Sequence, residues 1–543
     1  MLRIRRALLS VWDKTGIVDL ARTLHQLNVK IIASSGTTKA LKAEGIPATE
    51  LSTIINHPEI LGGRVKSLHP AVHGAILADK KDPAHMTRLK QLNIQPIDLV
   101  VVNLYPFEAE QDLFDIEKSL EFMDIGGNTL LRAAAKNFRN VAVLTSPDQY
   151  IPAIQEMSVN GGALSRETLL NFAVKAVSQT SRYDLSILEY LGKYRESHAF
   201  DKTKDAFTAL PKEQTAKVTN FPRTFVRRYE KVSDLRYGEN PHQKSALYKE
   251  LSDRDYDCSI ITHGQQLQGK QLSYNNYVDM DGAVKIAMDF REPTAVVIKH
   301  TNPCGLATDT DILSAYKVAL STDPKSAFGG VIGLNRKVCE ATAKEIITSF
   351  KEAVVAPDYE PQALAVFRKK KNLRIIKLDF IDACRPELNT RSLCGGIVLQ
   401  DSDRAVLEEE DLTLVSKRKP TPEMMKSLLF ARKVVKHVKS NAIVYVKGTR
   451  TIGIGAGQMS RVDSARIAAF KAKEDNTAGE STVGAVMASD AFFPFRDGID
   501  AANEAGIVAV IQPGGSIRDK QVIDAVDEHD MVMVFTGKRC FNH

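Results

Sequence analysis

Residues 295–305, AVVIKHTNPCG, carry an apolar run into Lys299 and His300 and then into a Pro- and Gly-containing turn. A cation and an imidazole therefore stand side by side at the mouth of an expected strand. Strand ends on rigid sheets are where chemistry is commonly mounted. A histidine exchanges a proton near neutral pH, and a lysine donates one or steadies developing negative charge. Residues 489–498, SDAFFPFRDG, put three phenylalanines, an arginine and two acids in ten positions. Aromatic rings beside polar groups suit a flat conjugated heterocycle. Arg236 and Tyr237 open the polar, turn-rich RYGENPHQ, and Asn441 stands at the start of an apolar strand. The glycine run GIGAGQMSR lacks the dinucleotide-binding spacing and a ribose-binding acid about 20 residues on, which argues against NAD.

The N-terminal part offers phosphate chemistry. Ser34, Ser35, Gly36 and Thr37 follow an apolar run and open a helical stretch, which exposes N–H groups to an anion. Lys14, after the first strand, adds a point charge. In GGRVKSLHP, alternation sets Arg64 and Lys66 on one side of an extended segment, where an anionic ligand relieves their repulsion. Tyr105 lies in NLYPF at the end of a strongly apolar strand. Asp124 precedes Gly126 and Gly127, and the helix that follows contains Lys136. The expectation is a proton acceptor, N–H donors and a cation at one locus.

These residues need rigid elements to hold them. The runs RRALLSVW, VKIIAS, DLVVVNLYPF and NVAVLTS read as strands, with helices at 17–27, 38–44 and 127–136. Such alternation argues for a parallel sheet flanked by helices. After about residue 196 a polar stretch without sustained periodicity reads as a linker. Beyond it, PTAVVIK, AFGGVIGL, LRIIKLD, GGIVLQD, NAIVYVK, RTIGIGAG, VGAVMASD, GIVAVIQPG and MVMVFTG are strand candidates, with helices at 281–290, 311–320, 422–435 and 460–471. VVIKH recurs loosely as VMASD, a hint of internal duplication. The loop 471–482 reads as exposed.

The 543 residues suffice for several cores, and 43% hydrophobic with 26% charged residues is ordinary for a soluble protein. No apolar run has the length of a membrane span, and Asp13 and Lys14 cut the N-terminal one short of a signal peptide. Six cysteines without CxxC pairing argue against structural zinc or a disulfide framework and for a reducing cytoplasm. The net charge of +7 is spread, with RKKK and KRK as solvated surface. That suits anionic small substrates better than nucleic acid.

Twelve motifs run in order along nearly the whole chain: SVWDKTG, SSGTTKAL, GGRVKSLHP, NLYPF, DIGGNTLLRAAAKN, RYGENPHQ, VIKHTNPCG, SAFGG, KSNAIVY, TIGIGAGQMSR, ASDAFFPFRDGID and IQPGGSIRD. Together they resemble the bifunctional purine-biosynthesis family of AICAR formyltransferase/IMP cyclohydrolase, closest to its bacterial form. The resemblance implies an α/β protein with a methylglyoxal-synthase-like parallel-sheet domain (1–196), a linker (197–225) and a transferase region (226–543) of two tandem cytidine-deaminase-like subdomains. It implies formyl transfer from the co-substrate 10-formyltetrahydrofolate to AICAR, then dehydrative closure of the product, FAICAR, to IMP. It further implies a cytoplasmic homodimer whose transferase sites span the interface, without metal, membrane or nucleic acid. A zinc deaminase is the nearest rival, but its H-x-E and P-C-x-x-C signature is absent.

On this resemblance His300 is the general base, and Lys299 serves the oxyanion or the leaving folate nitrogen. Asn441 holds the imidazole or the formyl oxygen. Arg236, Tyr237, Arg461 and Arg539 fall at nucleotide-holding positions, and Phe492, Phe495 and Asp497 line the heterocycle and folate site. Lys14, Ser34, Gly36 and Thr37 map to phosphate positions. Arg64, Lys66, Ser67, Tyr105, Asp124, Gly126, Gly127 and Lys136 map to the reacting end. Trp12, Ser35 and Asn128 depart from the family pattern, which has serine, glycine and an apolar residue or proline there. A side chain at position 35 is expected to crowd or reshape the phosphate loop.

Overall fold

The computed structural model describes residues 1–55, 60–61, 64–107, 115–197, 221, 225–251, 261–380, 388–479 and 481–543. Gly62, Gly63 and most of the expected linker lie outside the described residues. The chain divides into two units, Met1–Val226 and Arg227–His543.

In the first unit β1 (Arg6–Val11), β2 (Lys30–Ala33), β3 (Thr49–Glu50), β4 (Leu99–Asn103) and β5 (Ala142–Leu144) form a wholly parallel sheet ordered β3-β2-β1-β4-β5. The strands are almost continuously apolar because both faces are covered, by helices that include α1 (Ile17–Gln26), α2 (Ser35–Ala43), α3 (Pro70–Leu77), α4 (Ile125–Lys136) and α5 (Arg166–Ser197). The order reverses at β1, whose neighbours are β2 on one side and β4 on the other. Ligands of such sheets bind beyond the carboxyl ends of strands at the reversal. Trp12–Lys14 follow β1 there, and Tyr105 follows β4.

The second unit is built on one twelve-stranded sheet. Its first half holds β6 (Gln265–Gln268), β7 (Thr294–Lys299), β8 (Asn302–Thr308), β9 (Val331–Leu334), β10 (Ala353–Ala356) and β11 (Arg374–Lys377). The second half holds β12 (Thr413–Leu414), β13 (Ile443–Lys447), β14 (Arg450–Gly455), β15 (Val486–Ser489), β16 (Ala509–Gln512) and β17 (Val532–Phe535). The order β6-β11-β10-β9-β7-β8-β14-β13-β15-β16-β17-β12 repeats the same sequence of antiparallel and parallel steps from either edge. The halves join at an antiparallel β8–β14 seam, with Ala307 opposite Arg450.

The duplication holds at single-residue level, but not where the sequence placed it. β7–β8 and β13–β14 are matching hairpins: each skips one residue, Cys304 or Ile452, at the same distance from its turn. VVIKH therefore corresponds to VYVKG, and VMASD, in β15, corresponds to β9. The expected Pro/Gly turn at NPCG is instead the start of β8. Gly305 and Gly453 are matched too. A Cβ at Gly305 would lie 1.9 Å from the Ala319 carbonyl oxygen of α7 (Ile312–Thr322), and one at Gly453 would lie 2.2 Å from that of Ala468 in α9 (Arg461–Glu474). The glycine run of GIGAG thus lets a helix lie close on a strand.

Period-two alternation sorts the core. Val296, Ile298, Val444 and Val446 face one continuous cluster beneath α6 (Tyr274–Ala287) and α8 (Pro422–Val435). Ala295 and Val297 face a second cluster under α7, and Ile443 and Tyr445 a third beside α9. The halves share a core on one face and keep separate cores on the other.

Two candidate active sites

In the second unit, β7 delivers Lys299 to a two-residue turn formed by His300 and Thr301, with φ of 51° and 64°. Two-residue hairpins of this kind favour Asn and Gly; a β-branched Thr there costs about 1–3 kcal/mol. Asp279 of α6 holds the turn by accepting the Thr301 N–H at 2.7 Å. Burial raises the Asp279 carboxyl above its ordinary pKa, against the Thr301 N–H, His300 and Lys299, which pull it down. Lys299 Nζ donates to the carbonyls of Phe328 (3.0 Å) and Gly329 (3.4 Å). His300 is exposed.

Asn302 carries the site across the seam: its Oδ1 accepts the Lys439 N–H at 3.0 Å, two residues before Asn441. The Asn441 side chain donates to the Gln458 and Met459 carbonyls and accepts from Arg461. Arg461 also bonds Ser489, the Phe492 carbonyl and the buried Asp490. Asp490 in turn accepts the Ser440 hydroxyl, and its carbonyl accepts the Cys540 N–H beside Arg539. Arg539 lies over the Phe541 ring. Burial, reinforced by Arg391 and Lys285, lowers the Lys439 pKa. Lys299, Asn302, Cys304, Asp323, Gln458 and Lys471 border a cleft of about 260 Å³.

The aromatic stretch divides. Phe493 packs into the core, whereas Phe492 and Phe495 stay exposed, and Arg518 stands 4.5 Å over Phe495. Asp497 accepts the Gly498 N–H. Arg236 stacks on Tyr237, and that turn is fixed by backbone bonds to Leu272 and Tyr274, at the start of the helix carrying Asp279.

In the first unit, Asp124 caps α4 by accepting the Gly127 N–H at 2.6 Å. Burial nevertheless raises its pKa, against the pull of the Gly127 and Tyr105 N–H groups. Both glycines are required by close approach: a Cβ at Gly126 would meet Ser67 Oγ at 2.7 Å, and one at Gly127 would meet Asp124 Oδ2 at 2.4 Å. Lys14 reaches the carbonyls of Val11 and Trp12, and burial lowers its pKa, with Lys66 pushing the same way. Ser34 begins α2 without a side-chain cap. Lys14, Lys66, Ser67, Tyr105, Asp124 and the glycine pair therefore converge.

Three residues have surroundings that the sequence did not suggest. Lys136 ends α4, twelve residues after Asp124, so the rise of the helix sets the two about 18 Å apart rather than at one locus. Arg64 pairs with Glu121 at the surface. The Thr37 side chain is buried, with its Oγ1 accepting the Val11 N–H, so it holds β1 against α2. Ser35 does not crowd the loop through backbone strain, since it enters the first turn of α2 without a positive φ. Asn128 donates to Asp184 on α5.

A model described as MGS-like domain matches residues 16–129, and one described as AICARFT/IMPCHase bienzyme matches residues 134–471. The chain is 46% identical to the Bifunctional purine biosynthesis protein PurH of Magnetococcus marinus, over the full length of both. The chain belongs to the AICARFT/IMPCHase bienzyme family. It is a formyltransferase and IMP cyclohydrolase serving the last two steps of IMP synthesis. A solved structure titled "Crystal structure of ForH" shares 34% identity over 35% of this chain and 98% of its own, with a TM-score of 0.34.

Sequence reading of this bienzyme missed Asp279 and Lys439. Asp279 sits in a polar helix start with a second acid two residues on, the pattern of a solvated face. Asp490 was visible within SDAFFPF, but its complete burial beneath Arg461 was not. Among the described residues, no group of three or more His, Cys, Asp or Glu is placed to hold a metal ion, and no helix is long and apolar enough to cross a membrane.

Proposed function

We propose that His300 is the general base of formyl transfer and that the donor is 10-formyltetrahydrofolate. The AICAR 5-amino nitrogen attacks the formyl carbon while His300 removes its proton. The tetrahedral intermediate then collapses: the bond from carbon to the folate nitrogen breaks, and that nitrogen takes a proton. Lys299, steered by two carbonyls, faces the oxyanion or supplies that proton. Asn441, held by Arg461, positions the imidazole or the formyl oxygen. Phe492 and Phe495 offer stacking faces, with Asp497 at their edge, and Arg236, Tyr237 and Arg539 take the nucleotide. The carrying observation is the left-handed His300–Thr301 turn, held by a partly buried carboxyl at a strand end.

In the N-terminal site the carboxamide nitrogen of FAICAR attacks the formyl carbon, and water leaves. Orientation supplies much of that rate. Asp124, its pKa raised by burial, exchanges the proton. Lys66, Tyr105 and the N–H group at Gly126 steady the oxyanion beside Ser67, while the Gly127 N–H holds Asp124 in place. Lys14, Ser34 and Gly36 receive the phosphate.

A homodimer fits two features of the second unit. The hairpins of Tyr229–Asp234 with Ala246–Glu250 and of Leu388–Leu393 with Gly396–Asp401 stand outside the main sheet. They expose Tyr229, Val232, Leu393, Ile397 and Val398. An isolated two-stranded hairpin is marginal in water, and a second copy would cover these faces. The halves of the sheet, each a hairpin beside three parallel strands, support the cytidine-deaminase likeness. Free thiols at Cys304, Cys339, Cys394 and Cys540 suit the cytoplasm.

The test supplies each reaction separately to His300→Ala. Formyl transfer is expected to fall about 10²- to 10⁴-fold with FAICAR cyclisation intact; full transferase activity would overturn the assignment.

A further inference from the structure

Trp12 is the only tryptophan in the chain. It follows β1, and Tyr105 lies two residues past β4, with Val11 opposite Asn103 in the parallel pair. Both rings thus leave the same edge of the sheet. Their centroids are 4.8 Å apart with planes at 56°. Trp12 remains 50% exposed and Tyr105 40%. Large rings left half in water at the ligand-binding edge of a parallel sheet form a contact surface rather than core.

The base of the indole is fixed. The Asn103 side chain accepts the N–H groups of Trp12 and Asp13 and donates to the Asp13 carbonyl. Lys14, two residues on, puts a cation at the same loop, where its partly buried ammonium lies close enough to Lys66 to feel its charge. A flat apolar face therefore adjoins a pair of cations, the arrangement that takes a phosphate at one end of a ligand and an aromatic ring at the other.

We propose that Trp12 is a binding residue of the cyclohydrolase site, stacking on the nucleotide heterocycle and favouring the closed bicyclic product over its open precursor. This rests on the assignment of the N-terminal site above. Stacking follows the flat area that overlaps. The fused bicycle of IMP presents a larger rigid plane than the single imidazole of FAICAR, whose two substituents rotate. Serine, the residue of the family pattern, has no such face. The indole holds product, so release of IMP gains weight in the overall rate.

The lone tryptophan reports on itself. The full chain is titrated with IMP while Trp12 emission is followed, and binding is measured in parallel by calorimetry. Emission is expected to change and saturate with the calorimetric affinity. Trp12→Ser is expected to weaken IMP binding about 5- to 100-fold, and to raise the IMP inhibition constant more than the KM for FAICAR. Trp12→Phe should recover most of the loss. IMP binding without any change in emission, or Trp12→Ser with unaltered IMP affinity, would overturn the proposal. Failure of the unmodified chain to bind IMP at all would overturn the site assignment and the proposal with it.

Discussion

The turns His300–Thr301 and Gly448–Thr449 occupy matching places in the two halves of the twelve-stranded sheet. Each closes a hairpin with the same skipped residue and the same helix-supporting glycine. Their backbones differ. The second turn has a left-handed residue at its first position, Gly448 with φ of 62°, and Thr449 is not left-handed. The first turn is left-handed at both positions and fills them with His and Thr. One half meets the steric demand without cost; the other accepts it and adds Asp279 to hold the result. Strain kept in one copy of a duplicated element supports the proposal that this copy carries the chemistry.

The largest expected effect comes from making the first turn resemble the second. His300→Gly should lower formyl transfer about 10²- to 10⁴-fold, while the thermal midpoint does not fall, because glycine accepts the left-handed backbone. A midpoint that drops with the activity would mean the histidine is there for structure. Next come the matched glycines. Gly305→Ala and Gly453→Ala should each lose about 1–3 kcal/mol in urea unfolding, by similar amounts, since each Cβ meets a helix carbonyl. Unequal losses would break the equivalence of the halves.

Asp279→Asn tests the carboxyl support of the first turn. Burial raises the carboxyl pKa in the folded state, so the folded chain holds that proton more firmly than the unfolded one. The natural protein therefore loses stability as pH rises from the ordinary carboxylate range through the raised value. The urea midpoint of the variant, relative to the natural protein, should increase across that window and be pH-independent below it. The smallest effect is expected for Gly448→His. Space around its Cβ is open, so only the backbone objects, at about 1 kcal/mol. A histidine there should confer no transferase activity on His300→Gly; rescue would contradict the assignment.

Both sheets were legible because their strands are long apolar runs ending in turn residues. Helix 422–435 matches its expected bounds, and helix 17–27 differs by one residue. β8 was not read because Pro303 and Gly305 signal a turn, although here one sits at a bulged strand start and the other under a helix. β10 was missed as a four-residue run too short to separate from its surroundings. At the sites, Lys299, His300, Asn441 and Asp124 could be picked by residue type. The separation of Asp124 and Lys136 could not be seen, because nearness in sequence conceals how far a helix carries one end from the other. Asp279 could not be found, because its importance lies in the N–H it receives from a residue 22 positions away.

The single core shared beneath both halves sets a limit on how the second unit can be divided. A cut between the halves would split one apolar cluster and uncover β8 and β14, two inner strands whose backbone groups now pair with each other. Each fragment would carry an unprotected edge suited to joining other chains. The two copies therefore stand or fall as one folding unit, and the turn with Gly448 is kept by the core it shares with the turn of His300.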